Sequence, residues 1–205
     1  MLEIFEYNRK SATFYANRWA YRRNPEFFDF QGLGGDCTNF VSQCLLAGTG
    51  VMNYTPDFGW YYISSDDRAP AWSGVQYLYN FLTSNQAEGP FASEVPINSI
   101  QAGDVIQLGD ENYEFYHTMI VTSTGAQPNA QNTLVAAHSY DVNCRPLDTY
   151  NIINIRFLHI DGYRKQTEES NNVSSKQPSN NQPSPILQNP INTRSSAQAQ
   201  DLSFE

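Results

Sequence analysis

No stretch of this 205-residue chain is apolar over the length a membrane span requires. The first residues, Met1-Leu2-Glu3-Ile4-Phe5-Glu6, carry acids where a classical signal peptide has basic residues and then an apolar segment. That absence points to a cytoplasmic place or a non-classical export route. Three cysteines, scattered and odd in number, make no disulfide framework and fit a reducing compartment or an enzyme thiol. Charged residues amount to only 16%, and basic ones nearly vanish from the body of the chain: between Pro25 and Tyr163 only Arg68, Arg145 and Arg156 stand against many acids, within a net charge of −9. A nucleic-acid backbone needs a positive field over a sizeable surface, so nucleic acid is excluded as a partner. An acidic body suits neutral or cationic substrates.

What is present suffices for one domain and a tail, with 13 Tyr and 12 Phe to build a core. Over residues 8–23 the positions Ala12, Tyr15, Ala16, Trp19 and Ala20 keep helical spacing, and Asn24-Pro25 ends the run. Residues 73–83 repeat that pattern through Val75, Leu78, Tyr79 and Leu82. The aromatic, turn-rich stretch 49–70, with Trp60-Tyr61-Tyr62, either walls a substrate groove or caps the core. Strand-like runs follow at 105–108, 115–122, 134–138 and 152–160. Helices first and strands later specify an α+β domain with an antiparallel sheet, here residues 1–164. From 165 to 205 Ser, Asn, Gln and Pro dominate, the composition of a disordered tail.

The chemistry concentrates at Gly34-Gly35-Asp36-Cys37. From Cys37, the residues Phe40, Val41, Cys44 and Leu45 fall at i+3, i+4, i+7 and i+8, the stripe of a packed helix. Asp36 is a favoured N-cap residue, so Cys37 should sit in the first turn, where free N–H groups and the positive end of the helix dipole favour thiolate and can hold an oxyanion. Cys44, inside the stripe, reads as core. A thiolate hydrolase also needs a base and a group to orient it. His117 opens one strand and His138 closes the next, and antiparallel pairing brings those ends together. His159, with different flanks, reads as structural. No two of the three histidines have the short spacing of a zinc motif, so neither metal nor cofactor is expected.

Several of these segments carry a resemblance. Asp36-Cys37-Thr38-Asn39-Phe40-Val41-Ser42-Gln43, with Tyr7-Asn8-Arg9 and Tyr15-Ala16 upstream, is similar to the putative amidase domain of Gram-positive bacteria. So are Trp60-Tyr61-Tyr62, Trp72-Ser73-Gly74-Val75, Gly103-Asp104-Val105-Ile106-Gln107 and His117-Thr118-Met119-Ile120-Val121-Thr122, in that order from Tyr7 to Ile160. That family in turn resembles the NlpC/P60 and CHAP branches of the papain-like superfamily. The resemblance implies a papain-like α+β fold, with N-terminal helices on a small antiparallel sheet, and amide or peptide hydrolysis through an acyl-thioester. Cell-wall peptides (peptidoglycan) are then the expected substrate class.

It further implies Cys37 as nucleophile, His117 as base and His138 as third residue, with Asp141 close enough to compete. Gln31, six residues before Cys37, stands where papain-like enzymes place an oxyanion-hole glutamine, and Tyr15 and Tyr21 are rival donors. Two other functions share these residues: a peptide- or glycan-binding module with a silent site, and transfer of the acyl group to an amine instead of water.

Overall fold

The computed structural model describes residues 1–167. In chain order its elements are β1 (Leu2–Phe5), α1 (Arg9–Trp19), α2 (Cys37–Thr49), α3 (Pro70–Ser73), α4 (Val75–Ser84), β2 (Gly89–Val95), β3 (Val105–Gly109), β4 (Phe115–Ser123), β5 (Leu134–Ala137), β6 (Val142–Pro146) and β7 (Asn154–Gln166). The expected α+β class is observed, with every strand pair antiparallel. Four strands were anticipated and seven form among the described residues. They lie in the order β1-β7-β3-β4-β5-β6, with β2 also on β7. The polar tail expected from 165 onward lies, from residue 168, outside the described residues, and β7 itself runs on to Gln166.

Alternation along the strands divides the apolar side chains between two layers. Val105, Ile120, Ala136, Leu158 and Ile160 join the helices in one buried cluster. Ile106, Leu108, Met119, Val121, Val135 and Ala137 form a second on the opposite face. Because both faces are covered, β3 and β4 read in sequence as nearly continuous apolar runs. No helix among the described residues is long and apolar enough to cross a membrane.

Helix α2 is the centre of the helical layer. Its stripe residues Phe40, Val41, Cys44 and Leu45 are fully buried, and Gly50, at φ 65°, closes it with an N–H to Leu46 O bond of 2.7 Å. The expected helix at 8–23 stops at Trp19. The carbonyl that a longer helix would give to the Arg23 amide accepts instead from Arg22 N–H and from His138 Nε2, at 3.0 and 2.9 Å.

Of the 49–70 aromatics, Trp60 is fully buried and Tyr62 packs on the core, whereas Tyr54 and Phe58 are exposed. Trp60 donates to Ser42 Oγ at 2.9 Å and Trp72 to Asn39 Oδ1 at 2.7 Å, which satisfies polar groups that α2 buries. On the far side of α1, Arg9 meets buried Asp104 at 2.5 Å, and Asp104 also receives His159 Nδ1 at 2.8 Å and Ile160 N–H at 3.0 Å. His159 is thus part of the bracket tying α1 to β3 and β7.

Candidate active site

The start of α2 opens onto a cavity of 540 Å³ whose wall includes Gln31, Gly35, Cys37, His117, Ser139 and Arg145. The approach to it depends on its glycines. Gly34 and Gly35 have φ of 98° and 108°, in the left-handed region that side chains disfavour. A Cβ on Gly35 would stand 3.0 Å from Ser139 Oγ, the atom that accepts the Asp36 N–H at 2.9 Å. The loop before α2 is thereby stitched to the turn after β5.

Asp36 holds the N-cap position, yet its side chain makes no capping bond. The carboxylate is fully buried and turned away: it accepts from Phe30 N–H at 3.0 Å, Asn39 Nδ2 at 2.8 Å and His138 Nδ1 at 2.6 Å, with Arg23 Nε 3.4 Å away. No acceptor among the described residues takes the amides of Cys37, Thr38 and Asn39. Diverting the cap therefore leaves three N–H groups beside the sulfur uncommitted, at the positive end of the helix. Cys37 is 7% exposed and reaches the cavity, with Sγ 3.8 Å from Thr38 Oγ1. Thr38 in turn meets Thr118 Oγ1 at 3.0 Å, which fixes α2 against β4. Cys44, seven residues on, lies in the core, where burial pushes its thiol well up.

His117 shares the cavity with Cys37 and pairs across β3 with Leu108. It has no hydrogen-bond partner among the described residues, and no bond joins it to Cys37. Burial, with the Arg145 guanidinium adding to it, pushes the imidazole down to about 4. His117 is therefore neutral at pH 7 and able to accept a proton. The unfolded chain takes up that proton near 6.5 and the folded chain only near 4, so this group's contribution to stability is present above 6.5 and lost as pH falls through 4. A proton NMR titration of the ring should give a midpoint near 4. A midpoint at 6.5 would show that the ring is not desolvated in this way.

The structure does not bring His138 to His117. Facing pairs Ile120–Ala136 and Val121–Val135 set a register in which His138, just past the end of β5, falls on the Thr118 and Ile120 side, while His117 falls with Met119 on the other. His138 stacks on Phe40 at 4.0 Å between ring centres, and both its nitrogens are engaged, by Asp36 and by Trp19 O. Both partners are oxygen acceptors. The place of His138 is behind Asp36, at the start of α2, and not behind His117.

Asp141, the other candidate third residue, forms a two-pronged pair with Arg23 at 3.0 and 3.0 Å. Gln31 does reach the cavity, donating Nε2 to Ser139 O at 2.9 Å. Its rival Tyr15 is bonded to Gln43 and Asn24, and Tyr21 accepts from Asn143 N–H. The three histidines thus serve three separate places. Sequence reasoning missed the diverted role of Asp36 and the presence of Ser139 and Arg145 at the cavity. For Arg145 a signal existed, since it is one of only three basic residues between Pro25 and Tyr163.

Comparison with known proteins locates this arrangement within a family. Residues 6–160 match the model of the family described as Putative amidase domain. Over 144 residues the chain is 31% identical to YhbB, an uncharacterized protein of Bacillus subtilis (strain 168), a match covering 69% of this chain. The chain spans 44% of that relative's length. No solved structure matches it.

Proposed function

Since the chain belongs to the Putative amidase domain family, whose description supports hydrolysis of amides in general, we propose that the hydrolysis runs through a thiol, with Cys37 as nucleophile and His117 as base in a papain-like arrangement. The observation that carries this reading is the pairing, on one cavity wall, of a cysteine at an uncapped helix tip with a neutral, desolvated imidazole.

In the proposed cycle Cys37 Sγ attacks the amide carbonyl carbon while its proton passes to His117. The carbonyl oxygen becomes an oxyanion that accepts from the free N–H groups of Cys37 and Thr38, and the second Nε2 hydrogen of Gln31 is a further donor. Collapse of the tetrahedral intermediate breaks the C–N bond. The leaving nitrogen takes the proton from His117, and the acyl group remains on sulfur as a thioester. Water then attacks with its proton going to His117, the C–S bond breaks, and acid and thiol are released. His138 and Asp36 act at one remove: they hold the α2 start in the geometry that keeps its amides open. Peptides of the cell wall are the proposed substrates, by likeness to the papain-like branches named above.

The test is mass spectrometry of cell-wall digests and a panel of simple peptide amides incubated with wild type and Cys37→Ala. New carboxyl and amine termini in the wild-type samples alone support the reading. Binding of cell-wall fragments without turnover, unchanged by Cys37→Ala, would replace it with a binding module. Turnover only in the presence of added amines, with amide products, would make the chain a transferase.

A further inference from the structure

The wall of the Cys37 cavity carries one charged side chain, Arg145, and no carboxylate. This reverses the chain-wide balance of −9, which on its own favours neutral or cationic substrates. The other two basic residues of the body are occupied elsewhere. Arg68 bonds Ser73 and Ser65 and lies over Phe30, while Arg156 is buried against Gln107 between Tyr79 and Phe115.

Arg145 is held from one side only. Its Nε donates to Thr149 Oγ1 at 2.8 Å, one Nη2 hydrogen to Thr149 O at 2.9 Å, and the guanidinium lies 4.0 Å over the Tyr150 ring. Nη1 has no partner, and no carboxylate lies within ion-pair distance, among the described residues. By contrast Arg9 meets Asp104 and Arg23 meets Asp141. A half-buried cation that is oriented by neutral groups but has no counter-ion leaves an unbalanced charge at the cavity, and a planar fork with free N–H groups matches a carboxylate. Its field is felt at His117, so it stands beside the reacting groups and not at a remote rim.

We infer that Arg145 anchors a carboxylate of the substrate, so that the amide cleaved lies in a peptide or acylated amino acid presenting a free carboxylate within reach of Cys37. The inference rests on the reading of Cys37 as nucleophile and narrows its substrate class.

Alkylation tests the two separately. Iodoacetate and iodoacetamide both transfer a two-carbon group to the sulfur with loss of iodide, but only the first is an anion. Rates at Cys37 are read by peptide mapping, which keeps Cys37 distinct from the exposed Cys144. In Arg145→Gln the iodoacetate-to-iodoacetamide rate ratio should fall about tenfold, the ratio cancelling any change in thiol reactivity common to both reagents and continued labelling by iodoacetamide showing that Cys37 stays accessible, and Arg145→Lys should keep most of the ratio. The wild-type ratio should also exceed that of the unfolded chain, a comparison that needs no substitution. An unchanged ratio in Arg145→Gln, with Cys37 still labelled, overturns the anchor alone. Failure of both reagents to label Cys37 in the folded wild type overturns the nucleophile and the anchor together. The same ordering should hold for substrates: matched peptides ending in a carboxylate and in a carboxamide should differ in kcat/KM for wild type and converge for Arg145→Gln.

Discussion

Asp36→Ala should lower the melting temperature by about 10 °C, the largest stability loss expected from any single side chain near the site. Four groups converge on this buried carboxylate: Phe30 N–H, Asn39 Nδ2, His138 Nδ1 and, at longer range, Arg23. Alanine leaves Phe30 N–H, Asn39 Nδ2 and His138 Nδ1 without this acceptor, whereas Arg23 keeps Asp141 and Asp29. Removing one partner of a buried ionic set costs about 3–5 kcal/mol, and a chain of this size loses about 2–4 °C per kcal/mol. Circular dichroism melts check the value, and a shift below about 3 °C would show that the cluster is not what holds the start of α2. The double variant Asp36→Ala/His138→Ala should lose less than the sum of the single losses, by about 1 kcal/mol or more, because each residue is the other's partner.

Cys37→Ala should act in the opposite manner, sparing the fold and removing the chemistry. The sulfur makes only a weak 3.8 Å contact with Thr38 Oγ1, so melting should change little. Hydrolysis should fall by on the order of 10⁴-fold or more, as when the nucleophile of a covalent mechanism is deleted. Cys44→Ala is the internal contrast. It opens a small cavity in the core between α2 and its neighbours and should cost stability while leaving kcat nearly unchanged. Release of amine from a hydrolysed substrate, followed beside the melts, separates the two cysteines. Equal activity in Cys37→Ala and wild type would remove the thiol from the mechanism.

Those contrasts follow the division between what local sequence can and cannot specify. Helix α2 was legible because its apolar residues recur at i+3, i+4, i+7 and i+8 and a left-handed glycine follows it. Strands β3 and β4 were legible because both faces of the sheet are covered, which leaves apolar runs that only a few polar residues, among them Gln107 and Thr118, interrupt. Strands β1 and β2 were not: β1 is largely exposed and mixes acids with apolar residues, while β2 opens on Gly89-Pro90, which reads as a turn. In β6 the exposed Cys144 takes a positive φ of 53° and breaks the pattern.

The site divides in the same way. A cysteine at a helix tip and a histidine at a strand start are local features, and the fold puts both on one cavity. Which histidine stands behind which group is a matter of register across β4 and β5, and a shift of one residue there sends the side chain to the other face. That is why His138 meets Asp36 instead of His117. Asp36 itself was recognisable as a capping residue type, but its partner lies 102 residues further along the chain, so no local pattern could show that the cap is turned away. Composition pointed to cationic or neutral substrates because it averages the whole surface, whereas the cavity wall itself carries the opposite sign through Arg145.

The most direct test of the central claim is the intact mass of the protein during turnover of an activated ester or amide, with rapid acid quench and peptide mapping. An adduct equal to the acyl group, located on Cys37, released by hydroxylamine and absent from Cys37→Ala, is the predicted result. Turnover with no acyl adduct on Cys37, or an adduct that persists in Cys37→Ala, would contradict it.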